Sequence, residues 1–170
     1  MPASLPTVTP GCQVFGFRKA RGQVLDRART SATLSHMDGA DIQLQAAADD
    51  SIDVDAKAFY IEERSDPESG QFFFAYRICI TNRGHAPARL VRRHWVITDG
   101  LGRVEEVRGA GVVGEQPRLM PGETFEYTSA CPLPTQYGVM RGSYTMRRDD
   151  GTTFEAAIAP FQLVVPALAN

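Results

Sequence analysis

The residues most suggestive of chemistry form a glycine motif with arginines on both sides. Gly109, Gly111 and Gly114 match the letters G-x-G-x-x-G, a spacing in which glycines let backbone amides approach a pyrophosphate closely. The nearest arginines are Arg103, Arg108 and Arg118. Loop amides can bind an anion without a helix, so the pattern raises the hypothesis of phosphate, pyrophosphate or nucleotide binding at this loop.

The residues after the motif argue against a dinucleotide-binding fold of the Rossmann type. That fingerprint needs a helix immediately after the glycines. Here Glu115, Gln116 and Pro117 follow, and a proline pushes the preceding residue toward an extended conformation. The simpler explanation, which we favour, is that the glycines satisfy a tight turn or bulge between two strands.

Metal sites and catalytic groups are not expected. The three histidines are well separated: His36, His85 and His94. No His-x-His pair or acidic cluster has ligand spacing for a transition metal. Asp99, Glu105 and Glu106 could form a weak magnesium surface, but a solvated acidic face is the favoured interpretation. The candidate nucleophiles and bases, Ser129, Ser143, His94, Glu105 and Glu123, are scattered along the sequence, so we expect no catalytic residue, no cofactor and no enzymatic activity.

The cysteines suggest a reduced compartment. Cys12, Cys79 and Cys131 form no Cys-x-x-Cys pair, and no apolar secretory segment follows Met1. The order Cys79, Trp95, Cys131 is typical of immunoglobulin domains, but Ser129 stands where their corner tyrosine is expected. We therefore expect two reduced thiols, a Trp95 that packs in the core or an interface, and His94 as its exposed surface neighbour.

Composition narrows the class of partner. The chain has 170 residues, a formal net charge of −2 and a pI near 5.9, which disfavours nucleic acid as the main partner. The sequence contains no run of 18 consecutive apolar residues, which is the length that a membrane span needs. The expectation is a cytoplasmic protein without a membrane or nucleic-acid partner.

The first 48 residues read as a flexible N-terminal extension, and residues 49–167 as one domain. Residues 1–36 carry five cationic residues against one acidic residue, together with Pro2, Pro6 and Pro10. Few large apolar residues are available there to offset the entropy of ordering. An organelle transit peptide and a true start at Met37 remain alternative hypotheses for this segment.

From Ser51 onward, the apolar pattern has period two, which predicts strands. Strands are expected near residues 52–58, 71–81, 88–98, 103–108, 123–130, 139–147 and 152–164, with a break at Pro160. No segment has the length and pattern of an amphipathic helix. About seven short strands at regular spacing predict an all-β sandwich or barrel.

Short motifs in order resemble the ApaG family over about residues 50–165. They include the run from Arg92 to Pro132 and the segments 63–67, 74–76, 82–84, 121–123, 140–144 and 160–161. The resemblance implies an immunoglobulin or fibronectin type III-like sandwich of about seven strands. It also implies a link with bacterial cobalt resistance and magnesium efflux, and relatives in eukaryotic F-box proteins that look like protein-recognition modules.

These observations together predict a non-enzymatic binding module that recognises an unidentified protein partner. The candidate surface is the loop Gly109–Pro117, because sandwich folds place function on loops. Its candidate binding residues are Arg108, Gly109, Gly111, Gly114, Glu115 and Gln116, with Arg103 and Arg118 as candidate anion contacts. The alternatives are a phosphate-containing small molecule at the same loop and a homodimer through an edge strand.

Overall fold

Alternating apolar residues form eight strands in the computed structural model, which describes residues 51–166. The strands are β1 Ile52–Tyr60, β2 Phe72–Asn82, β3 Ala88–Asp99, β4 Val104–Ala110, β5 Arg118–Leu119, β6 Thr124–Leu133, β7 Tyr137–Arg148 and β8 Thr153–Val164. One turn of 3₁₀ helix, Glu62–Arg64, lies between β1 and β2. The predicted extension, the Met37 start and the outer limits of the predicted domain lie outside the described residues.

The strands form two antiparallel sheets that pack as a sandwich. The smaller sheet has the order β1-β2-β6, and the larger has the order β4-β3-β7-β8, with β5 pairing to β3 beyond the end of β4. The two sheets also contact each other along β1 and β8. The predicted all-β, immunoglobulin or fibronectin type III-like sandwich is confirmed.

Aromatic side chains from both sheets fill the core. The inner face of β2 buries the apolar row that period two predicts: Phe72, Phe74, Tyr76, Ile78 and Ile80. Trp95 of β3 lies opposite and makes edge-on contacts, at centroid separations of 5.6, 6.2 and 6.0 Å, with Tyr76, Tyr144 and Phe161. Each aromatic pair adds about 0.5–1.5 kcal/mol beyond area burial. Trp95 is therefore a core residue that joins the sheets.

A glycine in β7 makes room for this tryptophan. Gly142 pairs with Trp95 across the β3–β7 ladder. A Cβ at this position would lie 2.1 Å from the His94 carbonyl oxygen and 3.1 Å from Cε3 of Trp95. Since the first distance involves rigid backbone, only glycine fits here.

Two details differ from the sequence prediction. The predicted break at Pro160 is wrong, because β8 runs without interruption from Thr153 to Val164. The β7–β8 register shifts between Met140 and Gly142, so Pro160 lies at an irregularity where a strand tolerates a residue without an N–H. The two-residue strand β5 was not predicted, because two residues carry no periodicity.

The connections gather at two ends of the sandwich. One end carries the β1–β2, β3–β4 and β6–β7 connections, and the other carries β2–β3, β5–β6 and β7–β8. At the second end, the buried Asn82 donates from Nδ2 to the carbonyls of Ala86 (2.9 Å) and Leu119 (3.0 Å) and accepts from the Gly84 amide (2.9 Å). This side chain fixes the β2–β3 turn against β5.

A buried hydroxyl pair tests how the two sheets are joined. The hydroxyls of Tyr127 and Tyr144 lie 2.6 Å apart. We expect Tyr127→Phe to lower the free energy of unfolding by about 1–3 kcal/mol, because the Tyr144 hydroxyl is left buried without that partner. Adding Tyr144→Phe should recover part of the loss. Urea unfolding of both variants measures this, and a double variant that loses a further full increment would contradict the pairing.

The same pair predicts a loss of stability at high pH. Burial, and then the neighbouring Tyr127, raise the pKa of Tyr144 well above its ordinary value. In the unfolded chain a tyrosine has a pKa of about 10. The contribution of Tyr144 to the free energy of unfolding is therefore complete below that pH and is lost as the pH rises further. Urea unfolding from neutral to strongly alkaline pH should show a steeper decline for the unchanged protein than for Tyr144→Phe. Parallel declines would contradict the raised pKa.

Candidate functional site

The predicted glycine loop interrupts an edge strand. β4 and β5 both pair with β3 on the side away from β7, and the loop 111–117 connects them. The Gly111 amide donates to the Val91 carbonyl (3.0 Å), and the Leu90 amide donates to the Pro117 carbonyl (2.9 Å). The β3–β7 register shifts between Leu90 and Arg92, on either side of Val91. The loop therefore lies beside a bulge in the neighbouring strand.

The tip of the loop is a two-residue turn. Val112 and Glu115 exchange two backbone hydrogen bonds of 2.8 Å. Between them Val113 has φ +44° and Gly114 has φ +79°, as a type I′ turn requires. Positive φ is strained for a β-branched residue. The fully buried Val112 and the partly buried Val113 both pack against the core, and this packing offsets the strain.

Gly111 and Gly114 have clear backbone reasons. Gly111 has φ +58°, and a Cβ there would lie 2.1 Å from the carbonyl oxygen of Glu115; Gly114 has φ +79° in the turn. A Cβ on Gly109 would meet only the flexible guanidinium of Arg93, 2.9 Å from its Nη1. The turn explanation accounts for Gly111 and Gly114 without a ligand, and ligand binding by the loop stays a prediction.

Side chains from β3 clamp the loop. Arg93 donates from Nη1 to the carbonyls of Ala110 (3.1 Å) and Gly111 (2.8 Å). Arg89 donates to the Gln116 carbonyl (3.0 Å), and Nε2 of Gln116 donates to the Val91 carbonyl (3.0 Å). Together with the backbone bonds, these contacts engage several of the polar groups that an anion would use.

The three predicted anion-contacting arginines are in separate ion pairs. Arg103 donates from Nε to Asp99 (2.7 Å) and Arg108 from Nη2 to Glu106 (2.9 Å). Arg118 pairs through two nitrogens with Asp149. Arg118 holds the pKa of Asp149 below its usual range, and Arg108 does the same for Glu106. The structure therefore does not bring these arginines together around the glycines.

His94 and Glu115 occupy surface positions. The His94 side chain is 32% exposed, and its Nε2 lies 3.0 Å from Oε2 of Glu106. Glu115 is exposed, and its backbone forms the Val112–Glu115 turn. The sequence analysis expects His94 to be an exposed neighbour of Trp95. In the structure the His94 side chain is partly exposed, and Trp95 is buried.

The remaining reactive groups form no evident site. In residues 51–166, no three or more His, Cys, Asp or Glu side chains are grouped to hold a metal ion. Cys79 and Cys131 are thiols outside any disulfide, as predicted, and burial raises the pKa of Cys79. In the same part of the chain, no helix is long and apolar enough to cross a membrane.

Sequence reasoning missed an apolar groove at the β1–β2 end. It has a volume of about 460 Å³ and is lined by Arg64, Gly70, Gln71, Phe72, Phe73, Pro132, Leu133 and Pro134. The Arg64 guanidinium lies over the Phe73 ring, 3.9 Å from its centroid. The sequence feature that could have indicated the groove is the pair of apolar runs Phe72–Phe74 and Pro132–Pro134, whose strands pair directly. Only that pairing brings the two runs into one groove.

An exposed apolar tip lies next to the groove. Leu101 is 74% exposed, Val104 62% and Tyr137 38%. The Asp99 carboxylate holds the tip by accepting from the amides of Leu101 (2.9 Å) and Arg103 (3.0 Å). Burial would raise the pKa of Asp99, but these hydrogen bonds and the Arg103 guanidinium lower it. We call the groove and this tip together the apolar end.

The fold places the chain among the immunoglobulin and fibronectin type III-like sandwiches, whose loops sit on a rigid scaffold. A family model for the ApaG domain matches residues 62–148. Protein ApaG of Anaeromyxobacter dehalogenans strain 2CP-C is 53% identical over 127 residues, which cover 75% of this chain and all of that protein. The chain belongs to the ApaG family.

Two further comparisons agree. Protein ApaG of Bordetella pertussis is 58% identical over 107 residues, covering 63% of this chain and 82% of that protein. A crystal structure of an ApaA protein from Bordetella pertussis is 55% identical, with a TM-score of 0.67, and covers 68% of this chain and 94% of that one. The resemblance drawn from the short motifs is confirmed.

Two glycines of the motif give a matched test of its role. A non-glycine residue in the left-handed region costs about 1–2 kcal/mol. Gly111→Ala should lower the free energy of unfolding by more than this, because its Cβ would also meet the Glu115 carbonyl. Gly114→Ala should lower the free energy of unfolding only by the cost of the left-handed backbone, since nothing lies within 4 Å of its Cβ. Thermal and urea unfolding compare the two variants. Equal losses would contradict the close approach at Gly111.

Proposed function

We propose that this ApaG-family domain is a non-enzymatic module that recognises a protein partner through its apolar end. One observation carries the proposal: three of the five exposed large apolar side chains in residues 51–166 form the tip of this end, namely Leu101, Val104 and Tyr137. Of the other two, Phe59 lies in β1 of the smaller sheet and Met120 lies at the other end. Clustered exposed apolar side chains beside a groove are typical of a protein-binding surface.

The chemistry of the surface favours an apolar segment of another protein. Arg64 stacked on Phe73 forms a cationic and aromatic pair of the kind enriched at the energetic centre of interfaces. Proline-rich walls at Pro132 and Pro134 are rigid, so little side-chain entropy is lost when a partner binds. We propose a partner segment that inserts apolar side chains between these walls and presents a carboxylate to Arg64.

The same end is held rigid by its own polar contacts. The Gly100 amide donates to Oγ1 of Thr135 (2.9 Å), and this hydroxyl donates to the Tyr137 carbonyl (2.7 Å). Thus the β3–β4 turn is fastened to the β6–β7 connection, and the tip and groove keep a fixed relation. A preformed surface lowers the entropic cost of association.

We propose that any effect on cobalt resistance or magnesium efflux runs through the partner. Two of the three acidic side chains first considered for magnesium support this, because Asp99 is bound by Arg103 and Glu106 by Arg108 and His94.

We further propose that the protein works in the cytoplasm, where its cysteine thiols stay reduced.

Charge substitution at the apolar end tests the proposal. We expect Leu101→Asp to weaken binding to the partner at least about tenfold, since a desolvated carboxylate in an apolar contact is costly. Met120→Asp, a matched change at an exposed apolar residue of the other end, should leave the affinity unchanged. The partner is first captured on the full-length protein from a lysate of a bacterium that encodes it, and its affinity is then measured with both components purified.

Three outcomes would contradict the proposal. One is a purified partner that binds Leu101→Asp as tightly as the unchanged protein. Another is a loss of binding on Met120→Asp alone. The third is sedimentation of the unchanged protein as a dimer that Leu101→Asp converts to a monomer, since a second copy, rather than another protein, would then cover this surface.

A further inference from the structure

Three arginines from different strands meet in one row at the end opposite the apolar end. In the β3–β5 ladder Arg89 lies directly opposite Arg118, and in the β3–β7 ladder it lies directly opposite Arg147. Adjacent strands are about 4.8 Å apart, and like charges directly opposite each other are destabilising. We call Arg118, Arg89 and Arg147 the arginine row.

A pocket opens beside this row. It has a volume of about 280 Å³ and is lined by Arg89, Arg147, Arg148, Asp149 and Gly151. The turn that forms its wall is fixed by hydrogen bonds from the Gly151 amide to the Arg148 carbonyl (3.0 Å) and from the Thr152 amide to Asp150 Oδ1 (2.9 Å). The pocket is thus a formed concavity at the end of the larger sheet.

Positive charge exceeds negative charge around the pocket. Asp149 is the one carboxylate in its lining, and that carboxylate is bound by Arg118. Arg89 uses one N–H for the Gln116 carbonyl, although a guanidinium has five donors. Within residues 51–166, the Arg147 side chain makes no hydrogen bond or ion pair. Several N–H donors therefore face a small pocket that holds one carboxylate already paired with Arg118.

We propose that this pocket binds a phosphate-type dianion, with Arg147 and Arg89 as its main donors and Arg118 as a third. Two charges on one ligand would offset the repulsion within the arginine row. Guanidinium forks match phosphate oxygens in geometry and form charge-assisted hydrogen bonds. The phosphoryl group could belong to a small phosphorylated molecule or to a phosphorylated side chain of a protein.

The distribution of charge favours a single dianion over a nucleic-acid backbone. Farther along the same outer face, acidic groups already engage their neighbours: Glu106 binds Arg108 and His94, and Glu155 accepts from the Ser143 hydroxyl (2.7 Å). The protein as a whole carries a net charge of −2. A polyanion needs a continuous cationic track, whereas the excess here is confined to one pocket.

The site differs from the glycine loop in its chemistry. Its donors are side-chain guanidinium groups from β3, β5 and β7, whereas the loop hypothesis relies on backbone amides near Gly111. Of the arginines first considered for the loop, only Arg118 belongs to the row. The two sites can therefore be separated by which residues respond to a ligand.

Amide and arginine Nε chemical shifts of the labelled full-length protein test the proposal. The probes are inorganic phosphate, glycerol 3-phosphate and a short peptide with one phosphoserine. We expect saturable shifts at residues 147–151 and at Nε of Arg89 and Arg147. A tighter Kd for glycerol 3-phosphate would identify a small molecule as the source of the phosphate, and a tighter Kd for the peptide would identify a phosphorylated protein.

Three variants sharpen the result. Arg147→Gln should weaken the best probe about tenfold or more, which corresponds to one charged hydrogen-bond group. Arg141→Gln, at another exposed arginine of β7, is the matched control and should change the affinity by less than about twofold. Asp149→Asn should tighten binding, because it removes a negative charge and releases Arg118 from its ion pair.

Several results would overturn the proposal. These are the absence of a saturable shift with all three probes, shifts confined to residues 109–116, and equal weakening by Arg141→Gln and Arg147→Gln. A titration with a single-stranded oligonucleotide provides a fourth result that would overturn it. Tighter binding of that probe than of any phosphate probe, with equal losses in the two arginine variants, would show a nucleic-acid surface instead of a phosphate pocket.

Discussion

The packing of Trp95 against Gly142 is the constraint on which the sandwich depends. The indole is buried, and the backbone of β7 approaches β3 so closely that a Cβ on Gly142 would lie 2.1 Å from the His94 carbonyl oxygen. Edge-on contacts with rings from both sheets, including Tyr76 and Tyr144, then hold the layers together. Strand register is fixed around this contact, and with it the side chains at both ends.

Fixed register gives the two ends different chemistry. At one end it brings the Phe72–Phe74 run beside Pro132–Pro134 and leaves Leu101 exposed, which yields an apolar surface. At the other end it aligns arginines from three strands beside the pocket that we propose binds an anion. The glycine loop lies on the edge of the larger sheet, and its internal hydrogen bonds and the Arg93 clamp make it part of the scaffold that positions β5.

The sequence predicts the fold well, because local alternation and local turn residues encode most of it. The inner face of β2 and the turn at Asp99 follow from period two and from turn chemistry. The bulged path of β8 at Pro160 could not be predicted, since it depends on pairing with β7. The arginine row could not be predicted either, because Arg89, Arg118 and Arg147 lie far apart in the chain and meet only through the pairing register of β3 with β5 and β7. The letters of the glycine motif fit both a phosphate loop and a tight turn; the structure shows the steric need at Gly111, and ligand binding by the loop stays a prediction.

Hydrogen–deuterium exchange of the full-length protein, alone and bound to its purified partner, tests most directly whether the apolar end is the recognition surface. The account predicts slower exchange in residues 71–73, 100–104 and 132–137 on binding, because these amides would be covered or held more rigidly. Residues 109–117 should exchange at unchanged rates. Protection confined to residues 109–117, with the apolar end unchanged, would contradict the account and assign recognition to the glycine loop.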